Sequence, residues 1–285
     1  MDLCSIKQIK ELLSRNGFRF SKSMGQNFLT ASWVPERIAE NAGLDAQTGV
    51  LEIGPGIGCL TVQLAERAGK VLCVELDNAL QPVLGETLAE YGNTEVVYGD
   101  ALRMDLAELT GQKLAGLRPV VCANIPYNIT SPLISALIDS GCFVDMILMV
   151  QKEVAKRICA QAGEGDYGAF SVYVGWHAQT EILFDVPPGC FIPQPKVTSS
   201  VIRLTPRRHP PAELEDEKLF FRVVRAAFLQ RRKTLVNALT AGLGGYSKDD
   251  IKQVIISCGY DERIRGETLD IPGFAKVANT LAALG

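Results

Sequence analysis

Val50-Leu51-Glu52-Ile53-Gly54-Pro55-Gly56-Ile57-Gly58 carries the main clue to the architecture. A short apolar run enters a turn with glycine at every second position, and residues 60–67 then read as a helix. A strand, a Gly-rich turn and a helix start form a nucleotide-binding element. The glycines let the backbone approach a ligand closely, and a helix N-terminus presents unpaired N–H groups. The spacing is GxGxG, not the dinucleotide fingerprint GxGxxG. A tight turn with no ligand would use the same residues.

Further along the chain, Val71-Leu72-Cys73-Val74-Glu75 is a second strand, and it ends in an acid about twenty residues past the glycines. Folds of this kind place a ribose-binding carboxylate there. Asp77 follows and is a candidate cap for the next helix. A third unit, residues 95–102, ends its strand in Gly99-Asp100. The fourth is the apolar run 119–123, followed by Asn124-Ile125-Pro126-Tyr127 and a helical stretch at 130–137. Bounded apolar runs of this length predict buried parallel strands. The tetrapeptide therefore falls at a strand's carboxyl end, where open α/β sheets bind ligands. There an amide oxygen and a backbone carbonyl can accept both hydrogens of a planar amine, and the tyrosine ring can stack on the base that carries it. A strand-end turn built for its own geometry is the other reading.

A fifth strand at 146–150 leads to a helix at 153–162, a Gly-rich loop at 163–168 and a helix at 169–178. Strands at 182–186 and 200–204 alternate in polarity, as an edge hairpin does, and the segment 187–195 between them is too Pro-rich for regular structure. At the N-terminus, Ile6, Ile9, Leu12 and Leu13 form a helical stripe, residues 19–29 read as a basic loop, and 32–42 as a helix. Residues 206–217 read as a linker, and all signals beyond them are helical. The fold predicted is α/β, a mostly parallel sheet with one antiparallel edge strand in a domain spanning 1–205, followed by a small all-α domain at 206–285.

Composition narrows the function. No apolar run approaches the roughly 18 residues of a membrane helix. The N-terminus carries Lys and Glu within its apolar stretch and no small-residue cleavage site, which predicts a cytoplasmic protein. The eight cysteines contain no CxxC pair and mostly sit in apolar runs, so they read as reduced core residues. With two histidines, a His-rich metal site is excluded, and none is expected. The formal charge of −3 is uneven: residues 1–30 carry +3, 31–205 carry −9 and 206–285 carry +3. Basic ends around an acidic centre point weakly to a polyanion held by the ends. Ordinary solvated surface explains them equally well.

The motifs LEIGPGIG, VELD, GDAL and NIPYNI, in this order, resemble a class I methyltransferase with a Rossmann-like sheet that uses S-adenosylmethionine. More closely, QNFL at 26–29, FIPQPKV at 191–197 and FLQRRKTLVNAL at 228–239 resemble the KsgA/RsmA family of small-subunit ribosomal RNA adenine dimethyltransferases. The Erm resistance enzymes are relatives of that family. The resemblance implies that Asn27 and Leu29 contact the cofactor, that Gly54 passes its backbone along the methionine part, that Glu75 binds the ribose and that Asp100 binds the adenine amine, with Ala101 beside it. It implies that Asn124 touches both cofactor and target, and that Tyr127 and Phe191 stack on a flipped adenine. Ile125 and Pro126 complete the catalytic tetrapeptide. Arg231, Arg232 and Lys233 are expected to meet RNA phosphates. The implied reaction is dimethylation of two adjacent adenines in a hairpin loop near the 3′ end of 16S rRNA. The implied partner is the small ribosomal subunit (the 30S particle or a precursor), met by a monomer with a role in ribosome biogenesis. An Erm-type enzyme acting on 23S rRNA and an assembly factor valued for binding are the alternatives. A DNA adenine methyltransferase fits less well, its motif more often opening with Asp or Asn and two prolines. A nicotinamide-dependent oxidoreductase has the wrong glycine spacing and no use for NIPY.

Overall fold

The computed structural model describes residues 1–18 and 26–284; residues 19–25 of the expected basic loop lie outside the described residues. The chain divides into two compact units, residues 1–155 with 181–206, and residues 156–180 with 207–285.

The first unit is organised by strands β1 (Phe28–Leu29), β2 (Thr48–Ile53), β3 (Lys70–Glu75), β4 (Thr94–Tyr98), β5 (Arg118–Asn124), β6 (Asp145–Gln151), β7 (Ala178–Val186, whose first three residues fall in the second unit), β8 (Phe191–Ile192) and β9 (Ser199–Pro206). Seven of them form one sheet in the order β4-β3-β2-β5-β6-β9-β7. Strands β2 to β6 are parallel, and β9 runs antiparallel to β6. Helices α1 (Ile6–Arg15), α2 (Trp33–Asn41), α3 (Cys59–Ala65), α4 (Gln81–Thr87), α5 (Leu106–Lys113) and α6 (Thr130–Asp139) accompany it. The sequence reading set no bounds for the helix after Asp77, here α4, and did not resolve α5; internal Gly85 and Gly111 and early Pro82 blur the helical period.

Strand order reverses at β2, with β3 and β4 on one side and β5 and β6 on the other. Such a switch point leaves a crevice at the strands' carboxyl ends. The registers Val50↔Val71 and Val50↔Val120 bring the ends of β2, β3 and β5 together there. Every residue of β2 is buried, as expected of a strand covered on both faces.

The second unit holds α8 (Ala169–His177), α9 (Glu217–Leu229), α10 (Leu235–Gly242), α11 (Lys248–Ser257) and α12 (Ile271–Ala282), while α7 (Lys152–Cys159) straddles the division of the chain. Caps delimit these helices: the Asp216 carboxylate accepts the Leu219 N–H at 3.0 Å, and Ser247 and Asp250 form a capping box. The division departs from the expected 1–205 and 206–285. Tyr167, Val172 and Trp176 share the apolar cluster of Phe220, Leu239 and Phe274. Trp176 and Phe220 have ring centroids 4.8 Å apart. Residues 156–180 therefore bury their apolar side chains against the C-terminal helices, and burial decides membership over chain order.

Candidate active site

A cavity of about 200 Å³ lies at the switch point. Its wall is made by residues 26–29, the glycine turn, the end of β3 with Leu76 and Asp77, residues 99–101, and residues 124–129. Of the residues singled out from sequence, Asn27, Leu29, Gly54, Glu75, Asp100, Ala101, Asn124, Ile125, Pro126 and Tyr127 all line it.

The turn after β2 is left-handed at Gly54 (φ 70°) and Gly56 (φ 61°), a conformation that side chains rarely adopt. At Gly56 space is limiting as well, because a Cβ there would stand 3.1 Å from the Phe28 ring. Glycine thus keeps the backbone bare on the cavity wall.

Glu75 closes β3 and is buried. Its Oε2 accepts the Gly56 N–H at 3.2 Å and its Oε1 accepts the Asp77 N–H at 2.8 Å. Burial pushes its pKa up while these two amides pull it down. A carboxylate held in this way keeps lone pairs for a vicinal diol. Asp77 does act as a cap, accepting the Ala79 N–H at 3.0 Å, and it also accepts Gln26 Nε2 at 2.7 Å. The second bond, which the sequence reading missed, fastens the N-terminal segment over the end of β3. Asp100 accepts the Leu102 N–H at 3.0 Å, which fixes its carboxylate at the cavity edge.

Asn124 is the last residue of β5, level with Met149 of β6. Its Nδ2 donates to the Asn27 carbonyl at 3.4 Å. The bond orients the amide, whose oxygen Oδ1 is its one atom able to accept a hydrogen from a ligand. Ile125 N–H donates to the Met149 carbonyl at 3.0 Å, extending the ladder into the tetrapeptide. Ile129 N–H returns to the Pro126 carbonyl at 3.2 Å, closing a turn around Tyr127.

Two expectations change. The loop at 26–29 and the Pro-rich segment both contain strand: β1 and β8 pair antiparallel, Leu29 opposite Phe191. A ladder of two residues is shorter than any periodicity can reveal. Phe191 is 4% exposed, packs in the apolar cluster that includes Phe28 and Leu29, and does not line the cavity. In this ladder its ring is covered by the protein's own side chains, and stacking on a target base stays a proposal. Arg231, Arg232 and Lys233 belong to the second unit and are exposed. They stand in the connection between α9 and α10, not on a helix face; Arg231 Nη2 donates to the Gly165 carbonyl at 2.9 Å.

One group was overlooked. Glu52 is 1% exposed, lines the cavity beneath the glycine turn, and is raised by burial to about 8. Cys73 Sγ donates to its Oε2 at 3.6 Å. An acid inside an apolar strand was the available signal.

The donor set fits S-adenosylmethionine: left-handed glycines for close backbone approach, one carboxylate for a diol and another for an amine. Among the described residues no cluster of His, Cys, Asp or Glu is arranged to hold a metal ion. The sheet order, the bare turn under the cavity and the acid at the end of β3 define a class I methyltransferase.

Similarity to known proteins narrows this class. Residues 17–259 match the model of the ribosomal RNA adenine dimethylase family. Ribosomal RNA small subunit methyltransferase A of Geobacillus kaustophilus is 45% identical over 287 residues, covering 99% of this chain and 98% of the relative. A dimethyladenosine transferase from Plasmodium falciparum superposes with a TM-score of 0.74 at 27% identity, over 87% of this chain and 95% of that one. The 23S rRNA methyltransferase ErmE gives a TM-score of 0.70 at 26% identity, over 90% and 99%. This chain belongs to the ribosomal RNA adenine dimethylase family. It is an rRNA adenine dimethyltransferase, and its methyl donor is S-adenosylmethionine.

Proposed function

We propose that the chain transfers two methyl groups to the exocyclic amine of each of two adjacent adenines in a hairpin loop near the 3′ end of 16S rRNA, acting as a monomer on the small ribosomal subunit or its precursor. The observation that carries this reading is the orientation of Asn124, with its Nδ2 donating to the Asn27 carbonyl, at the carboxyl end of β5 and in the same cavity as the glycine turn and Glu75.

An adenine amine is a poor nucleophile because its lone pair is delocalised into the ring. Methylation itself makes the nitrogen acidic, so no strong base is required. Asn124 Oδ1 and the Ile125 carbonyl accept the two amine hydrogens and favour a tetrahedral nitrogen. Holding that nitrogen in line supplies much of the remaining acceleration. Bound S-adenosylmethionine supplies an electrophilic methyl on a sulfonium. Glu75 takes its ribose hydroxyls, Asp100 its adenine amine, and residues 27 and 29 its open side. The Tyr127 face receives the flipped base; stacking of about 1–3 kcal/mol offsets the cost of leaving its stack in the loop. Arg231, Arg232 and Lys233 neutralise phosphates. An rRNA substrate puts the enzyme where ribosomes are assembled, which is the cytoplasm in bacteria.

The test is incubation with labelled S-adenosylmethionine and separated ribosomal subunits, followed by mass spectrometry of the modified nucleosides. Dimethyladenine in the small subunit is expected. Label in the large subunit would favour the Erm-type reading. Exhaustive reaction that stops at monomethyladenine would refute the assignment of this pocket.

A further inference from the structure

Tyr127 shares a hydrogen bond of 2.7 Å with Ser199 Oγ. Ser199 is fully buried, whereas Tyr127 is half-buried and lines the cavity. The topology explains how residues so far apart in sequence meet. Strand β9 runs antiparallel to β6, with Ser199 opposite Gln151 and Val201 opposite Met149. The start of β9 therefore lies at the same sheet edge as the carboxyl ends of β5 and β6, and Met149 is itself level with Asn124.

The base of the Tyr127 ring is held independently. Thr130 Oγ1 donates to the Tyr127 carbonyl at 3.3 Å, and the Ile129 N–H holds the Pro126 carbonyl. A tyrosine has two side-chain torsions. The hydroxyl oxygen lies on the axis about which the ring itself turns, so with the backbone fixed its bond to a buried strand holds the first torsion and sets the direction in which the ring extends from the chain.

We infer that Ser199 is a positioning residue for the target base: it clamps the Tyr127 hydroxyl so that the ring already extends along the cavity wall that Asn124 shares before RNA arrives. This rests on the reading that Tyr127 stacks on the flipped adenine. A side chain free to change its first torsion would have to be ordered at each encounter, at the expense of the stacking energy. A clamped ring meets the base already oriented. Ser199 touches neither base nor cofactor in this account and acts only through Tyr127.

The experiment compares Ser199→Ala, Tyr127→Phe and the double variant with the native protein. Methylation of small subunits at saturating cofactor is measured, together with cofactor affinity by calorimetry. Each single variant should lower the methylation rate roughly three- to tenfold, the range for removing one hydrogen bond. Cofactor affinity should hold in all of them. The double variant should fall no further than either single one, because both remove the same bond. Multiplying effects, or full activity in Ser199→Ala beside a slow Tyr127→Phe, would overturn the inference. Tyr127→Phe reaches the bond from the half-buried side, so the comparison survives if Ser199→Ala folds poorly. A second readout needs no RNA: averaging among χ1 rotamers of ¹³C-labelled Tyr127, read by NMR from its three-bond couplings, should increase in Ser199→Ala, and unchanged couplings would sink the clamp. A native protein that methylates no subunit would defeat the proposed function instead, leaving the χ1 measurement to decide on the clamp.

Discussion

The side-chain nitrogen of Asn124 donates to the main-chain carbonyl of Asn27 at 3.4 Å. One bond thus ties the end of β5 to the segment that covers the cofactor side of the cavity. It also sets the orientation of the amide, whose oxygen is its one acceptor.

Replacement of Asn124 should therefore cost chemistry. Asn124→Ala removes one of two amine acceptors and is expected to slow both methyl transfers by about a hundredfold or more, the scale for removing one preorganised polar group. Asn124→Asp should also be slow, because a carboxylate oxygen would face the Asn27 carbonyl. Single-turnover rates on small subunits check this; an active Asn124→Ala would remove the residue from the mechanism.

Glu75 is predicted to govern cofactor affinity. Glu75→Ala should weaken S-adenosylmethionine binding by about 1–3 kcal/mol, and Glu75→Gln by less. Affinity should fall as the solution is acidified through the raised pKa of Glu75, since the neutral acid is a poorer acceptor for a diol. Calorimetry between pH 5 and 8 reads both effects, and unchanged affinity in Glu75→Ala would remove the residue from the site.

The three cations after α9 should act on RNA alone. Neutralising Arg231, Arg232 and Lys233 is expected to weaken subunit binding and to flatten its salt dependence, by about 0.7–0.9 in slope for each phosphate no longer neutralised. Cofactor affinity should hold. An unaltered slope would assign them a purely structural part, of which the Arg231 bond to Gly165 is an example.

Glu52 makes stability depend on pH. Its folded pKa of about 8 lies above the 4.5 of an exposed glutamate, so between these values the folded chain holds a proton that the unfolded chain has released. Its contribution to stability is greatest below 4.5, falls through this window by up to about 1.4 kcal/mol per pH unit, and levels off above pH 8. Glu52→Gln stays neutral throughout, so its stability should lose that component. Urea unfolding of the cofactor-free protein at pH 5, 6.5 and 8 tests this; parallel curves for the two proteins would show that Glu52 does not carry the proton.

Features with a local cause were legible in the amino-acid sequence. Alternate glycines before a helix dictate a left-handed turn wherever the chain goes. Apolar runs ending in Glu75, Gly99-Asp100 and Asn124 announce buried parallel strands and place those residues at one edge of the sheet. The cavity gathers them for that reason. Which distant segments meet there was settled by the folded chain. The pairing of Leu29 with Phe191, the donation from Asn124 to Asn27 and the bond between Tyr127 and Ser199 join pieces far apart in the chain, through contacts of one or two residues that leave no period. Residues 156–180 read as helix and loop from the sequence, yet the unit they join depends on which core buries Tyr167, Val172 and Trp176. The proton on Glu52 is of the same kind. A glutamate in a strand is charged or neutral according to what covers it, and tertiary packing alone supplies the cover.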